Sequence, residues 1–169
     1  MKSPHPAFIP VEELIKQCKF TRTRRGGPGG QHRNKVETGV FLCHRASRIE
    51  AAATEKRNQA ENRSIAIVRL RRNLAVQLRL PAEQRDVSER WVKRLKGTRI
   101  ECSAAHAEFP ALLAEALDFL AAERWEYPKA AARLRCSGTQ LLKFIKKEPA
   151  AWEVFNQGRV AAGLPRLSY

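Results

Sequence analysis

Gly26, Gly27, Pro28, Gly29 and Gly30 follow one another without a break, and a helix or strand does not run through five such positions. Whatever the chain folds into must carry this stretch as a loop, and its flanks say what the loop hangs from. "CKFTRTR" (18–24) alternates apolar and polar residues as a strand does, and "ETGVFLCHR" from Glu37 reads as a second strand. "SRIEAAA" gives a third, after a turn near Arg45 to Ser47, and "VEELIKQ" (11–17) makes a short helix behind Pro10. Three short strands do not stand alone in water. The cover comes from residues 58–77, where Ile67, Leu70, Leu74 and Leu78 recur at helical spacing. Asn58 suits the N-cap, with Glu61 placed for a capping box. The expected fold class is therefore α+β: a small β-sheet packed by one long helix, with a projecting loop.

Pro81 stops that helix, and Pro81 to Asp86 has the composition of a linker. A helical turn at 91–95 and a brief strand within 97–103 follow. From Pro110 the chain turns helical: 110–123 sets Leu112, Leu113, Ala116, Leu117 and Leu120 on one broad face. Pro128 opens a short helix, "CSGT" turns, Gln140 to Lys147 carries another, and Pro149 starts the last. Ala131, Leu134, Gly138, Leu141, Leu142 and Ile145 follow a helix-turn-helix pattern, which a plain helical bundle would also satisfy. Ala131, Leu134, Leu141, Leu142, Ile145, Trp152 and Phe155 are expected to form its core. The expected division is 1–80, a sheet domain with the loop; 81–109, a linker with short irregular elements; and 110–169, an all-α module.

Charge narrows the partners. The chain has 32 Lys and Arg against 17 Asp and Glu. Residues 1–80 hold 17 of the basic and 6 of the acidic side chains, and residues 81–169 hold 15 and 11. A polyanion is the indicated partner, with the stronger footprint on the half that carries the loop. Arg63, Arg69, Arg71 and Arg72 crowd the long helix, either as a solvated face or toward phosphates. Cys18, Cys43, Cys102 and Cys136 are widely spaced, which argues against a zinc ribbon or a disulfide framework; Cys102 and His106 have a metal-like spacing, but with no second such pair Cys102 is expected to be a buried thiol. No apolar run approaches a membrane span, and "MKSPHPAFIP" lacks a signal core, so a soluble intracellular protein is expected, with no membrane partner, no metal and no organic cofactor.

The loop is not a phosphate cradle of the familiar kinds. Gln31 and His32 stand where a Walker loop needs Lys and Ser or Thr, and the glycines do not give the dinucleotide spacing. "GGPGGQHRNK", with the basic strand before it, Asn34 and Lys35 in it and Val40 on the strand after it, resembles the catalytic domain of class I peptide chain release factors. "EKRNQAENRSIAIVRL" (55–70) extends the likeness, with Arg57, Gln59 and Asn62 matching the helix-entry pattern. It covers about residues 15–80 and is closest to small stand-alone members that rescue stalled ribosomes.

The resemblance implies that Gly29, Gly30 and Gln31 enter the peptidyl transferase centre of the large ribosomal subunit, where the peptidyl-tRNA ester is hydrolysed. It assigns the catalytic role to the Gln31 main-chain N–H, and makes its side-chain amide a target for N-methylation by a glutamine methyltransferase. Arg24, Arg25, His32, Arg33 and Lys35 are then expected to contact ribosomal RNA, as are Arg69, Arg71 and Arg72 on the long helix. Lys143, Lys146 and Lys147 are expected to anchor the C-terminal module to RNA. Stop-codon reading is not expected for a chain of this length, and the apolar segment after residue 110 departs from the basic tail of better-known rescue members. A monomer in the bacterial cytoplasm, or else an organelle matrix, fits this reading. Two rivals belong to other classes: a non-catalytic protein gripping structured RNA, and a DNA-binding regulator led by the helix-turn-helix.

Overall fold

The computed structural model describes residues 4–23 and 38–168. The chain divides into two compact units, residues 1–74 and 75–169. The expected α+β class holds: an antiparallel sheet and one long helix are followed by short helices and a small hairpin.

In the first unit a short helix, α1 (Val11–Lys16), leads into strands β1 (Cys18–Thr23), β2 (Gly39–His44) and β3 (Glu50–Ala53). They form one antiparallel sheet in the order β1-β2-β3. The central strand β2 buries Val40, Leu42, Cys43 and His44, whereas β3 alternates, with Ala51 and Ala53 inward and Glu50 and Ala52 outward. Between β2 and β3, Arg48 takes a left-handed φ of 61° to close the turn, and the His44 N–H donates to Ile49 O at 2.9 Å.

The long helix α2 (Gln59–Gln77) begins at Asn58, whose Oδ1 accepts from the Ala60 N–H at 2.7 Å. Its fully buried row is Asn62, Ala66, Leu70 and Leu74, in steps of four. Ile67 and Leu78, expected on that face, are only half-buried. Leu70 and Leu74 are buried as expected, and the row is continued toward the helix start by an alanine and an asparagine rather than by Ile67. Two side chains of α2 also reach the last strand of the sheet. Asn73 Nδ2 donates to Glu50 O at 2.7 Å, and Arg69 Nη1 donates to Ala52 O at 2.8 Å. Since Ile49 O faces β2, the alternation of strand carbonyls turns the Glu50 and Ala52 oxygens outward. Both outward oxygens are thus capped by the helix.

The second unit is built around α4 (Phe109–Ala122), which buries every residue from Phe109 to Leu120 rather than a single face. Two of those residues are carboxylates, Glu115 and Asp118, and they organise residues 79–88. Asp118 accepts from Leu80 N at 3.0 Å and from Arg79 and Arg85, while Glu115 accepts from the Ser88 N–H at 2.7 Å and the Ser88 hydroxyl at 2.6 Å. Ser88 in turn N-caps α3 (Glu89–Lys93). There Trp91 is wholly buried, donating to Leu134 O at 2.8 Å and meeting the Phe144 ring edge-on at 5.6 Å. Strands β4 (Leu95–Lys96) and β5 (Arg99–Ile100) pair through a two-residue turn in which Gly97 adopts φ 57°. The stretch 81–109, expected as a linker, is therefore hydrogen-bonded and packed into this unit.

Helices α5 (Tyr127–Arg133), α6 (Gly138–Ile145) and α7 (Pro149–Ala161) complete it, the first two joined by a tight turn as in the helix-turn-helix pattern. Of the expected core residues, Ala131, Leu134, Leu141, Ile145, Trp152 and Phe155 are buried and Leu142 is half-buried. Arg124 and Trp125 both take left-handed φ values where α4 gives way to α5. The Trp125 indole occupies the space a side chain at Gly158 would need, 2.1 Å from an ideal Cβ there. Arg159, 6% exposed, donates to Trp125 O and Pro165 O, and Asn156 exchanges hydrogen bonds with the Leu167 backbone.

Candidate functional site

Gly29, Gly30 and Gln31, together with Arg24, Arg25, His32, Arg33 and Lys35, lie outside the described residues. The structure describes what carries them. β1 and β2 run antiparallel to the pair Thr23↔Gly39, where the two ends of the glycine-rich segment are brought together. Gly39 has to be glycine at this neck. An ideal Cβ would sit 2.4 Å from Thr23 Oγ1 and 2.7 Å from Thr23 O, the second a backbone atom of the partner strand.

Asn62 fastens the same neck from below. It is fully buried; its Nδ2 donates to Thr38 O at 2.7 Å and to Lys56 O at 3.0 Å, and its Oδ1 accepts from the Lys56 N–H at 2.9 Å. One amide side chain therefore ties three segments: the residue entering β2, the stretch leading to α2, and the first turn of α2. An asparagine suits the position because only an amide offers two donors and an acceptor without charge. The sequence marked Asn62 through its helix-entry pattern, and geometry gives the reason.

The helix arginines are partly spoken for. Arg69 contacts the Glu55 carboxylate as well as Ala52 O, and the guanidinium holds the Glu55 carboxyl below its usual range. Arg71 Nη2 donates to Ala7 O at 2.9 Å, which draws the N-terminal segment onto α2; Arg72 is half-buried. Arg63 and Arg57 are exposed. A basic helix thus serves its own unit first and offers part of its charge outward.

The three lysines expected to contact RNA, Lys143, Lys146 and Lys147, separate. Lys146 lies over the Trp152 ring, 4.4 Å from its centre, and donates to Ser168 O at 3.3 Å. Lys143 is exposed, and Lys147 donates to Cys102 O at 2.7 Å, so these two share a different surface with the β4–β5 hairpin. Sequence reasoning missed His44, which is 2% exposed, with Nδ1 against Ser47 Oγ at 2.8 Å and Nε2 against Gln17 Oε1 at 3.2 Å. Burial holds its imidazole below the usual range. The cysteines are buried and unpaired with one another, and burial pushes the Cys136 thiol up to about 11. Cys102 and His106 do not face a common ligand: the thiol lies 3.5 Å from Ser103 O and the ring lies against Arg94 and the Glu108 N–H. Among the described residues no cluster of His, Cys, Asp or Glu is arranged to hold a metal ion, and no helix is long and apolar enough to cross a membrane.

Comparison with known proteins gives a context for the neck and the segment between its ends. The family model of the RF-1 domain matches residues 10–107. A chloroplastic peptide chain release factor of Arabidopsis thaliana is 36% identical over 93 residues, which are 55% of this chain and 18% of that protein. Peptide chain release factor 1 of Chlorobaculum tepidum is 44% identical over 71 residues, 42% of this chain and 20% of the other. A mitochondrial peptide chain release factor-like protein of Saccharomyces cerevisiae is 33% identical over 104 residues, covering 60% and 65%. The chain thus spans about a fifth of the two full release factors and somewhat under two thirds of the yeast protein.

Proposed function

Since the chain belongs to the RF-1 domain family of the peptide chain release factors, we propose that it hydrolyses peptidyl-tRNA on the ribosome, freeing nascent peptides from stalled complexes without reading a codon. The observation that carries this reading is the sequence Gly29-Gly30-Gln31 inside the family match, on a segment whose ends meet at the Thr23↔Gly39 neck. In this reaction water adds to the ester carbonyl, the C–O bond to the terminal ribose breaks, and the products are a peptide carboxylate and a tRNA with its hydroxyl restored. The RNA site already binds the ester. What the protein has to add is a positioned donor for charge developing on oxygen and a fit that admits water.

The Gln31 backbone N–H supplies that donor, and its uncharged side chain screens the nucleophile. Gly29 and Gly30 let the main chain approach RNA where a Cβ would obstruct it. Arg24, Arg25, His32, Arg33 and Lys35 neutralise nearby phosphates, and Gln31 is the site a glutamine methyltransferase would modify. The ribosome is the partner, and a bacterial cytoplasm or an organelle matrix the compartment. Independence from the codon rests on the resemblance to stand-alone rescue members.

The test is release of labelled peptide from ribosomes programmed with truncated, sense-codon and stop-codon messages. Equal release on all three is expected. Gly30→Ala should lower the rate by about 10²–10³-fold, the usual effect of losing an oriented oxyanion donor. Full activity of Gly30→Ala would overturn the catalytic assignment, and strict stop-codon dependence would overturn the rescue reading.

A further inference from the structure

The hairpin β4–β5, the turn that follows it and helix α6 enclose an open groove of about 650 Å³ within the second unit. Two contacts fix its walls to each other. The Ser137 N–H at the start of α6 donates to Thr98 O at 3.0 Å, and Lys147 donates to Cys102 O. The lining is basic: Arg94 and Arg99 on the hairpin side, Lys143 on α6 and Lys147 just beyond its end, with His106 and Gln140 as further polar groups. Its carboxylate, Glu101, is taken up mainly by Lys96 at 2.8 Å, and Arg99 lies 3.7 Å away from it. Arg99 and Lys143 are exposed, and among the described residues no carboxylate is paired with Lys143.

His106 and Arg94 stand together at one wall of the groove. The Glu108 N–H donates to His106 Nδ1 at 3.1 Å, and Arg94 Nη2 lies 2.9 Å from His106 Nε2. The Glu108 carboxylate holds the same guanidinium through Nε at 2.8 Å and Nη2 at 2.5 Å. An oxyanion entering the groove would meet Arg99 and Lys143 first, the exposed cations on its two walls. A carboxylate ligand would meet them too, but the spread of cations along both walls suits a chain of charges better than one.

We propose that this groove is a seat for the phosphodiester backbone of RNA, in which Arg94, Arg99, His106, Lys143 and Lys147 contact phosphate oxygens. The choice of RNA among polyanions rests on the release reading above; the phosphate chemistry does not. Lys146, held on Trp152, takes no part. The seat lies away from the glycine-rich segment in sequence and gives the second unit a grip of its own.

The test uses the full-length protein and a fluorescein-labelled single-stranded RNA, with binding followed by anisotropy across a salt series. Arg99→Glu with Lys143→Glu should weaken binding at least about tenfold and flatten the log–log salt slope by about 1.4, the amount for two lost contacts to a single strand. The pair Arg124→Glu with Lys129→Glu, an identical charge change outside the groove, is the control. Addition of the RNA should shift the His106 ring resonances in the parent chain. If the groove pair binds RNA as tightly as the control pair and with the same slope, the seat is refuted. Resonances that respond to inorganic phosphate but not to the RNA, or tighter binding of duplex DNA than of RNA through these residues, would overturn the RNA assignment. A chain that binds RNA in the groove yet releases no peptide would leave the seat standing and refute the release reading instead.

Discussion

Replacing Asn62 by Ala removes three hydrogen bonds at once from a fully buried position. At about 0.5–1.5 kcal/mol net for each bond, the loss is about 1.5–4.5 kcal/mol, before adding the cost of leaving the Lys56 N–H and the Thr38 carbonyl without a partner. That is a large share of the stability of a small unit. The distribution of aromatic residues supplies the assay. Trp91, Trp125 and Trp152 all fall within residues 75–169, so tryptophan fluorescence reports the second unit, whereas far-ultraviolet circular dichroism reports both. In urea, a loss of about 3 kcal/mol at a slope of about 1–3 kcal/mol per molar moves a midpoint by about 1–3 M. The expected result is a dichroism transition displaced by that amount with the fluorescence transition left in place, accompanied by slower peptide release at saturating protein. A dichroism curve that superimposes on the parent would show that the amide holds nothing together at the neck, and the account of how the segment is carried would fail with it.

Gly39→Ala should destabilise the first unit by about 1–3 kcal/mol, and adding Thr23→Ala should recover only part, because one clash is with a backbone oxygen; a Gly39→Ala chain as stable as the parent in urea refutes the close approach. Burial lowers the His44 pKa from its ordinary 6.5, so as pH falls below that value the unfolded chain takes up a proton before the folded one and stability drops toward the lower folded value. The first unit should therefore melt lower at about pH 5.5 than at about pH 8, and more so in the parent than in His44→Gln; equal pH dependence in the two proteins counts against this. Deleting residues 105–169 removes Leu134 and Phe144 from Trp91, so the truncated chain should emit at longer wavelength than expected for a buried indole. Retained short-wavelength emission would mean that residues 75–104 cover Trp91 by themselves.

Strands and the long helix were legible from local signals, with Asn58 at the helix start, although the alternation that marked residues 18–24 as a strand is not matched by its burial: of β1 only Cys18 is buried and Phe20 is exposed. On α2, Leu70 and Leu74 were legible as buried, whereas Asn62 and Ala66 were not, because periodicity weights large apolar side chains and nothing local marks these two as more buried than Ile67. Helix α4 was read as one-faced for a related reason. Glu115 and Asp118 look like solvent residues until their partners at Leu80, Arg85 and Ser88 are in place, some thirty residues earlier in the chain. The same long-range bonds make residues 81–109 part of a packed unit although their composition suggests a linker. Equally, no pattern along residues 140–147 separates Lys146 from Lys143 and Lys147; the distinction comes from Trp152 and Cys102. The glycine motif, by contrast, was legible as a motif, and the structure adds the neck that carries it.

The capping of β3 by Arg69 and Asn73 bears on how copies of this protein meet one another in a crowded cell. An extended stranger approaching β3 finds the Glu50 and Ala52 oxygens already occupied, so templated growth of the sheet is closed on that side. Among the described residues no strand pairs with the other side of β1, and it is there that fibril-like stacking would have to begin. Lys19 and Arg22 are exposed on that strand, and two identical edges coming together would bring these cations into mutual repulsion. Positive charge on this strand thus acts as protection against self-association, and a substitution that neutralised Lys19 and Arg22 would be felt first as a loss of solubility.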